Sequence, residues 1–379
     1  MIIIKSADIY SPKYIGKKDI FIGADKILYI DDDINLKYAE IFDAHDKIII
    51  PGLIDQHVHI TGGGGEGGFN TKVPEAQLSS FIKAGITTVV GLLGTDSTSR
   101  SVENLLSKAK ALNAEGITSY ALTGAYEIPS PTITGSVKRD ISFIEEIIGV
   151  KIAVNDHRDS AISPVELAKL ATEARVAGMF SGKSGHVTVH MGGGKFDLNQ
   201  IYEALEISNL PIGVFRPTHI NRKKSLCLKA IEFVKKGGYM DITCSIPSDI
   251  SDTEIINLAI QKQAPLSRIT FSSDGYGSWS EYDEFGNLIE IGVTPIDSLL
   301  NTISKLSKDI ELEKIIPLFT SNVADSLKIS DRKGYIKKDY DADLLILNSD
   351  LSLNSVIAKG KWLMKENKIL KYGTYEKSL

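Results

Sequence analysis

The chain has 379 residues, 42% of them hydrophobic, enough for a large core and better suited to one large α/β domain with a smaller appendage than to several small domains. Its 43 basic and 48 acidic residues leave a net charge of −5 without a basic stripe, which argues against nucleic acid as a partner. Two cysteines exclude a disulfide framework, Met1-Ile2-Ile3-Ile4-Lys5 lacks the pattern of a secretory leader, and no apolar run approaches the ~20 residues that span a bilayer. A cytoplasmic protein with no membrane contact is expected.

Residues 1–50 alternate short β-branched runs (Met1 to Ile4, Asp19 to Ile22, Lys26 to Ile30, Lys47 to Ile50) with Gly, Asp and Asn turns. From residue 51 the pattern changes. Apolar, strand-length runs at Ile86 to Leu93, Ile117 to Thr123, Gly149 to Val154, Val187 to His190, Ile212 to Phe215, Met240 to Cys244 and Ile269 to Ser272 alternate with helical stretches. Those stretches include Pro74 to Ala84, Ser163 to Ala177, Leu198 to Ser208 and Lys223 to Lys236. With the strand that leads into His57, this makes eight βα units and predicts an α/β fold of the (β/α)8 TIM-type barrel class. Strand-like runs return at Ala342 to Leu347, Val356 to Ala358 and Lys361 to Met364. Residues 1–50 and 330–379 are therefore expected to form one small β-sandwich domain from both chain ends, around a barrel of residues 51–329.

Active sites of such barrels lie at the C-terminal ends of the strands. His57 and His59 are two apart, so on a strand their imidazoles share a face and can share a metal ion. A hydrogen-bonded polar pair explains that spacing equally well. The pair runs into Gly62 to Gly65, where the backbone must approach something closely. Lys151 interrupts an apolar strand, where a lone ammonium is costly, so it is expected to be paired or chemically altered. His190, His219 and Asp274 each close another strand. The common address of these groups at one barrel face distinguishes them from His45, His157 and His186, which are assigned core or surface roles. Tyr276 to Val293 forms a long loop after the last strand, carrying Trp279, Tyr282 and Phe285, and is expected to cover the site.

The run Pro51-Gly52-Leu53-Ile54-Asp55-Gln56-His57-Val58-His59 resembles the opening motif of the amidohydrolase superfamily. Gly62 to Phe69, Thr123 to Tyr126 and Val150 to Arg158 narrow the resemblance to its isoaspartyl (β-aspartyl) dipeptidase branch, and the similarity covers essentially the whole chain. The resemblance implies a hydrolase with two Zn²⁺ ions. One would be held by His57, His59 and Asp274 and the other by His190 and His219, with Lys151 bridging both as a carbamate. A carbamate supplies two anionic oxygens, whereas an ammonium cannot ligate zinc. Hydroxide held between the metals would attack the amide, Asp274 would take and return the proton, and Tyr126 would donate to the developing oxyanion.

The substrate so implied is a small β-aspartyl dipeptide, with one ammonium and two carboxylates. Glu66 suits the ammonium, and Arg158 and Arg222 suit the carboxylates because a guanidinium binds them bidentately. The resemblance adds Gly64, Thr95 and Ser278 as substrate contacts and suggests a homo-oligomer. Cyclic-amide hydrolysis of the dihydroorotase or hydantoinase type would use the same metal core, so Glu66, Arg158 and Arg222 must discriminate. A non-catalytic binding protein is expected to have lost ligands that this chain retains.

Overall fold

The computed structural model describes residues 1–244 and 246–377. The N-terminal β-branched runs form β1 (Ile2–Tyr10), β2 (Tyr14–Gly23), β3 (Lys26–Asp31), β4 (Glu40–Asp43) and β5 (Ile48–Pro51). The centre of the chain supplies β6 (Leu53–Val58), β7 (Ile86–Gly91), β8 (Thr118–Gly124), β9 (Ile147–Val154), β10 (His186–Met191) and β11 (Phe215–Thr218). It continues with β12 (Met240–Thr243), β13 (Ile269–Ser272) and the hairpin strands β14 (Ser278–Tyr282) and β15 (Leu288–Val293). The chain closes with β16 (Leu344–Leu347), β17 (Leu353–Ala358), β18 (Lys361–Lys365) and β19 (Lys368–Ile369).

The expected sandwich of two terminal half-sheets is one nine-stranded mixed sheet, ordered β19-β18-β17-β16-β5-β1-β2-β3, with β4 also paired to β1. The halves fuse because β5 lies parallel to β1 and antiparallel to β16, pairing Ile49 with both Ile9 and Ile346. The sheet curls until β3 meets the chain entering β16, where Ile27 N donates to Tyr340 O (2.9 Å) and Ala342 N to Asp25 O (2.7 Å). Side chains alternate across a strand, so Leu344 and Ile346 join the terminal sheet's own core with Ile4, Ile20 and Ile22. Leu345 and Leu347 point the other way and pack with the central strands.

In the centre, β6 to β11 form a curled six-stranded parallel sheet in sequence order, and β12 pairs with β13 as a separate parallel ladder. A parallel bridge between Val58 and Gly275 brings the end of β13 to the end of β6. The strand expected at Ile212 to Phe215 begins later: residues 212–214 are a 3-10 turn after Pro211, and the strand is Phe215–Thr218. Pro217 in that strand has no N–H to donate, and the six-stranded ladder ends there.

Helices cover this sheet. The longest, Pro164–Ser181, starts at a capping box in which Ser163 and Glu166 satisfy each other's backbone N–H groups, and stops at left-handed Gly182. The helix expected over Pro74 to Ala84 shortens to Leu78–Lys83. No helix of the described residues is long and apolar enough to cross a membrane.

A buried ion triad ties the two sheets together. Lys333 Nζ lies 2.9 Å from Asp341 and 2.5 Å from Asp343 and donates to Thr118 Oγ1 of β8 at 2.8 Å. Lys333→Met leaves the buried Asp343 without its cation, while Asp341 keeps its pair with Lys26, and is expected to cost about 3–5 kcal/mol. A denaturant midpoint shifted by the equivalent of less than ~1 kcal/mol, the scale of an exposed pair, would show that the triad carries little of the stability.

Candidate metal centre and active site

The candidate ligands His57, His59, His190, His219 and Asp274 stand at or just past the C-terminal ends of parallel strands, Lys151 lies within β9, and two of the candidates sit on unusual backbone. His219 and Asp274 have φ of 61° and 54°, the left-handed region that non-glycine residues rarely occupy, and such strain concentrates at functional sites. His57 Nε2 lies 3.3 Å and His59 Nε2 3.2 Å from Asp274 Oδ1. Potential ligand atoms of His57, His219 and Asp274 all lie within 4.8 Å of one another, and all three residues are buried.

Lys151 is fully buried with Nζ 2.9 Å from His57 Nε2, and among the described residues no carboxylate forms an ion pair with it. Burial pulls its ammonium down to about 7. Burial also holds the imidazoles of His57, His190 and His219 well below their usual range, so they are neutral. Neutral imidazole is the form that binds a metal.

Metal fit can be tested by asking which buried polar atoms lack partners. His57 Nδ1, His59 Nδ1, His219 Nε2 and Asp274 Oδ1 are all buried and make no hydrogen bond. His219 Nε2 and Asp274 Oδ1 belong to the residues whose ligand atoms lie together with that of His57, and two buried acceptors left unsatisfied there are costly, a cost that a cation between them removes. His219 Nδ1 is engaged behind, 2.7 Å from Thr243 Oγ1, which leaves Nε2 for a ligand. The donor set therefore fits a metal of the zinc type.

His190 is in a different state. Its ring lies edge-on to His219 with centroids 4.5 Å apart, but both nitrogens are occupied. Tyr126 Oη is 2.7 Å from Nδ1, and Asp156 Oδ2 is 3.1 Å from Nε2. Burial raises the Tyr126 phenol above its ordinary value, so it stays protonated and can donate.

The charged substrate candidates converge on the same mouth. Arg158 donates through Nε and Nη2 to the two oxygens of Asp156, at 2.8 and 3.0 Å, and through Nη1 to Glu66 at 3.4 Å. Ser278 Oγ lies 3.0 Å from both oxygens of Glu66. Arg222 reaches only 3.8 Å from Asp156 and faces the cavity. Burial opposes ionisation of Asp156, but hydrogen bonds from His190 and Arg158 win and hold the carboxyl far below its usual range.

Gly62 and Gly64 do approach something closely, but it is their own chain. A Cβ on Gly62 would stand 2.0 Å from Val73 O, and one on Gly64 2.4 Å from Thr71 O. The loop presents Glu66 because it is laid against residues 71–74. Thr95 is half-buried and follows Gly94, where a Cβ would meet the His59 ring at 2.9 Å. The segment after β13 is a hairpin, β14 with β15, and Ser278, Trp279, Ser280 and Glu281 line the cavity.

Histidines left outside the site stay outside it. His45 and His157 are exposed, and His186 is buried at the opposite end of β10 with Nδ1 2.8 Å from Ser184 Oγ. Sequence reasoning missed Asp156, although it stands two residues before Arg158. It also missed the support beneath the histidines: Asp55 accepts from Ser273, and Asp241 accepts from Gln56, Thr218, Thr270 and Ser272.

Known proteins share both the fold and the site's motif region. The amidohydrolase family model matches residues 48–363. The β-aspartyl dipeptidase of Fervidobacterium islandicum AW-1, solved with β-Asp-Leu, is 40% identical over 97% of this chain and 97% of its own, with a TM-score of 0.93. A dihydropyrimidinase from Brevibacillus agri shares the fold at 15% identity, covering 98% of this chain and 96% of its own (TM-score 0.69). The dihydroorotase of Pediococcus pentosaceus is 26% identical over 109 residues, so this chain matches 29% of itself against only 25% of that enzyme's length. Matched by the family model over most of its length, and β-aspartyl dipeptidase-like from end to end, the chain belongs to the amidohydrolase family.

Proposed function

We propose that this chain hydrolyses the β-aspartyl amide bond of isoaspartyl dipeptides. The observation that carries the reading is the grouping of Glu66, Ser278, Arg158 and Arg222 at one cavity beside the His57, His219 and Asp274 cluster. A cyclic amide such as dihydroorotate has no free ammonium, so a half-buried Glu66 held by Ser278 suits a dipeptide better. The whole-length likeness to a dipeptidase solved with β-Asp-Leu supports the same substrate class.

In this reading Glu66 takes the substrate ammonium, and the guanidinium groups of Arg222 and Arg158 take the two carboxylates. Gly64 and Thr95 border the bound aspartyl half. His57, His59 and Asp274 would hold one Zn²⁺ and His190 and His219 a second, with Lys151, as a carbamate formed from carbon dioxide, serving both; His190 would release Tyr126 or Asp156 to join. When bound, the ions would activate water near neutral pH and polarise the scissile carbonyl. Asp274 Oδ1 accepts the proton and returns it to the leaving amine, and the Tyr126 hydroxyl donates to the oxyanion. Lys151 favours the carbamate because its amine is buried, close to neutral and has no carboxylate partner among the described residues.

We read β6 to β13 as one (β/α)8 barrel spanning residues 51–329, carried on a β domain of residues 1–50 and 330–379, in a homo-oligomer. The deciding assay compares β-Asp-Leu, α-Asp-Leu and dihydroorotate with zinc and bicarbonate present. Selective cleavage of β-Asp-Leu is expected; cleavage of dihydroorotate alone overturns the reading, and no turnover by zinc-loaded protein favours a binding protein.

Two further outcomes follow from this assignment. Arg222→Met removes a charge-assisted contact worth about 1.5–3 kcal/mol, so KM should rise roughly 10- to 100-fold with a smaller change in kcat. A normal KM would remove Arg222 from carboxylate binding. Chelation should abolish turnover and lower Tm, because an ion bound only by the folded state stabilises it, and zinc should restore both. A chelator-treated sample that keeps full activity would exclude the metal role.

A further inference from the structure

The cavity above the ligand cluster, about 310 Å³ in volume, is lined by two chemically different kinds of group. Arg158, Arg222 and Asp274 are charged. Ile246, Pro247 and Trp279 are apolar. Every isoaspartyl dipeptide presents the same aspartyl half, the same amide and the same C-terminal carboxylate, and the charged groups together with Glu66 account for all of them. What varies is the side chain of the C-terminal residue.

We propose that Trp279, Ile246 and Pro247 form the subsite for that side chain and select an uncharged aliphatic one, while Glu281 at the rim disfavours acidic side chains. The inference rests on the dipeptidase reading and deepens it. Trp279 is supported from behind: it is the register partner of Gly292 across the hairpin, and a Cβ at Gly292 would stand 2.3 Å from two carbons of the indole. Only glycine lets the indole lie against the strand, so the Trp279–Gly292 pair fixes that part of the lining. The indole keeps one half-buried face for the cavity.

Charge at the rim adds discrimination. Glu281 lines the cavity and pairs directly with Glu290 on the neighbouring strand, and both are exposed. Two like charges side by side deepen the negative field where the variable side chain would enter, which repels aspartate and glutamate.

The test measures kcat/KM of the zinc-loaded full chain for β-Asp-Leu, β-Asp-Gly and β-Asp-Glu. Wild type should prefer β-Asp-Leu over β-Asp-Gly by about tenfold or more, the scale set by filling an apolar pocket. In W279A, and in G292V where the indole is kept but displaced, that ratio should fall about tenfold. E281Q should raise the rate with β-Asp-Glu relative to β-Asp-Leu by about threefold, the effect of one exposed charge. A wild type without preference for leucine, or variants that retain its ratio, overturns the subsite. A wild type that cleaves no β-aspartyl dipeptide overturns the dipeptidase reading itself.

Discussion

Lys151→Ala should lower kcat/KM for β-Asp-Leu by about 10³-fold or more, with partial recovery in acetate or propionate. A metal site supplies several kcal/mol of transition-state stabilisation, and each ~1.4 kcal/mol is a factor of ten. Lys151 sits fully buried with its nitrogen 2.9 Å from His57 Nε2, so its removal leaves a buried hole beside that imidazole. A short carboxylate fits that hole and restores the two oxygens that the carbamate would have offered. Metal content measured alongside the rates separates loss of the ions from loss of chemistry. Activity within tenfold of wild type, or loss without any carboxylate rescue, would argue for a lysine that is merely buried.

Asp274→Asn is expected to reduce kcat by about 10²- to 10⁴-fold, the contribution of a positioned acid–base group. The substitution keeps size and one oxygen but cannot take a proton. The carboxylate is placed for both jobs: Oδ1 lies 3.3 Å from His57 and 3.2 Å from His59 and is itself unsatisfied. Because the effect falls on proton transfer, kcat should drop more than KM changes. A variant that retains zinc and near-normal kcat would move the proton-transfer role elsewhere.

Arg158 and Arg222 differ in a way that bears on both experiments. Arg158 is already neutralised by Asp156 and Glu66, whereas Arg222 has one loose contact at 3.8 Å. Arg222 is thus the cation more available to an incoming carboxylate, which is why its loss is expected in KM. Asp156 also meets His190 at 3.1 Å, so it couples the arginine proposed to bind substrate to a histidine proposed to bind metal.

Much of this was written in local sequence. Alternation of apolar strands with helices, the i,i+2 histidines, the lysine in the apolar run of β9, and the histidines and aspartate closing β10, β11 and β13 all follow from short-range periodicity and from the cost of burying a polar group. Strand edges were less legible. Ile212 to Phe215 has strand composition, yet Pro211 starts a 3-10 turn and the pairing begins at Phe215, because hydrogen-bond partners rather than propensity decide where a parallel strand starts.

What only the tertiary structure decided is which groups meet across sequence separation. The merging of the terminal half-sheets into one mixed sheet depends on β5 pairing on both edges, which no local pattern encodes. The glycine loop packs on residues 71–74, and Asp156 clamps Arg158 and His190, because chain closure brings them together. Glu66 meets Ser278 across 212 residues for the same reason. Composition and periodicity name the chemical groups, since each residue carries its own donors and charge; their distances, on which catalysis depends, exist only once the strands are registered side by side.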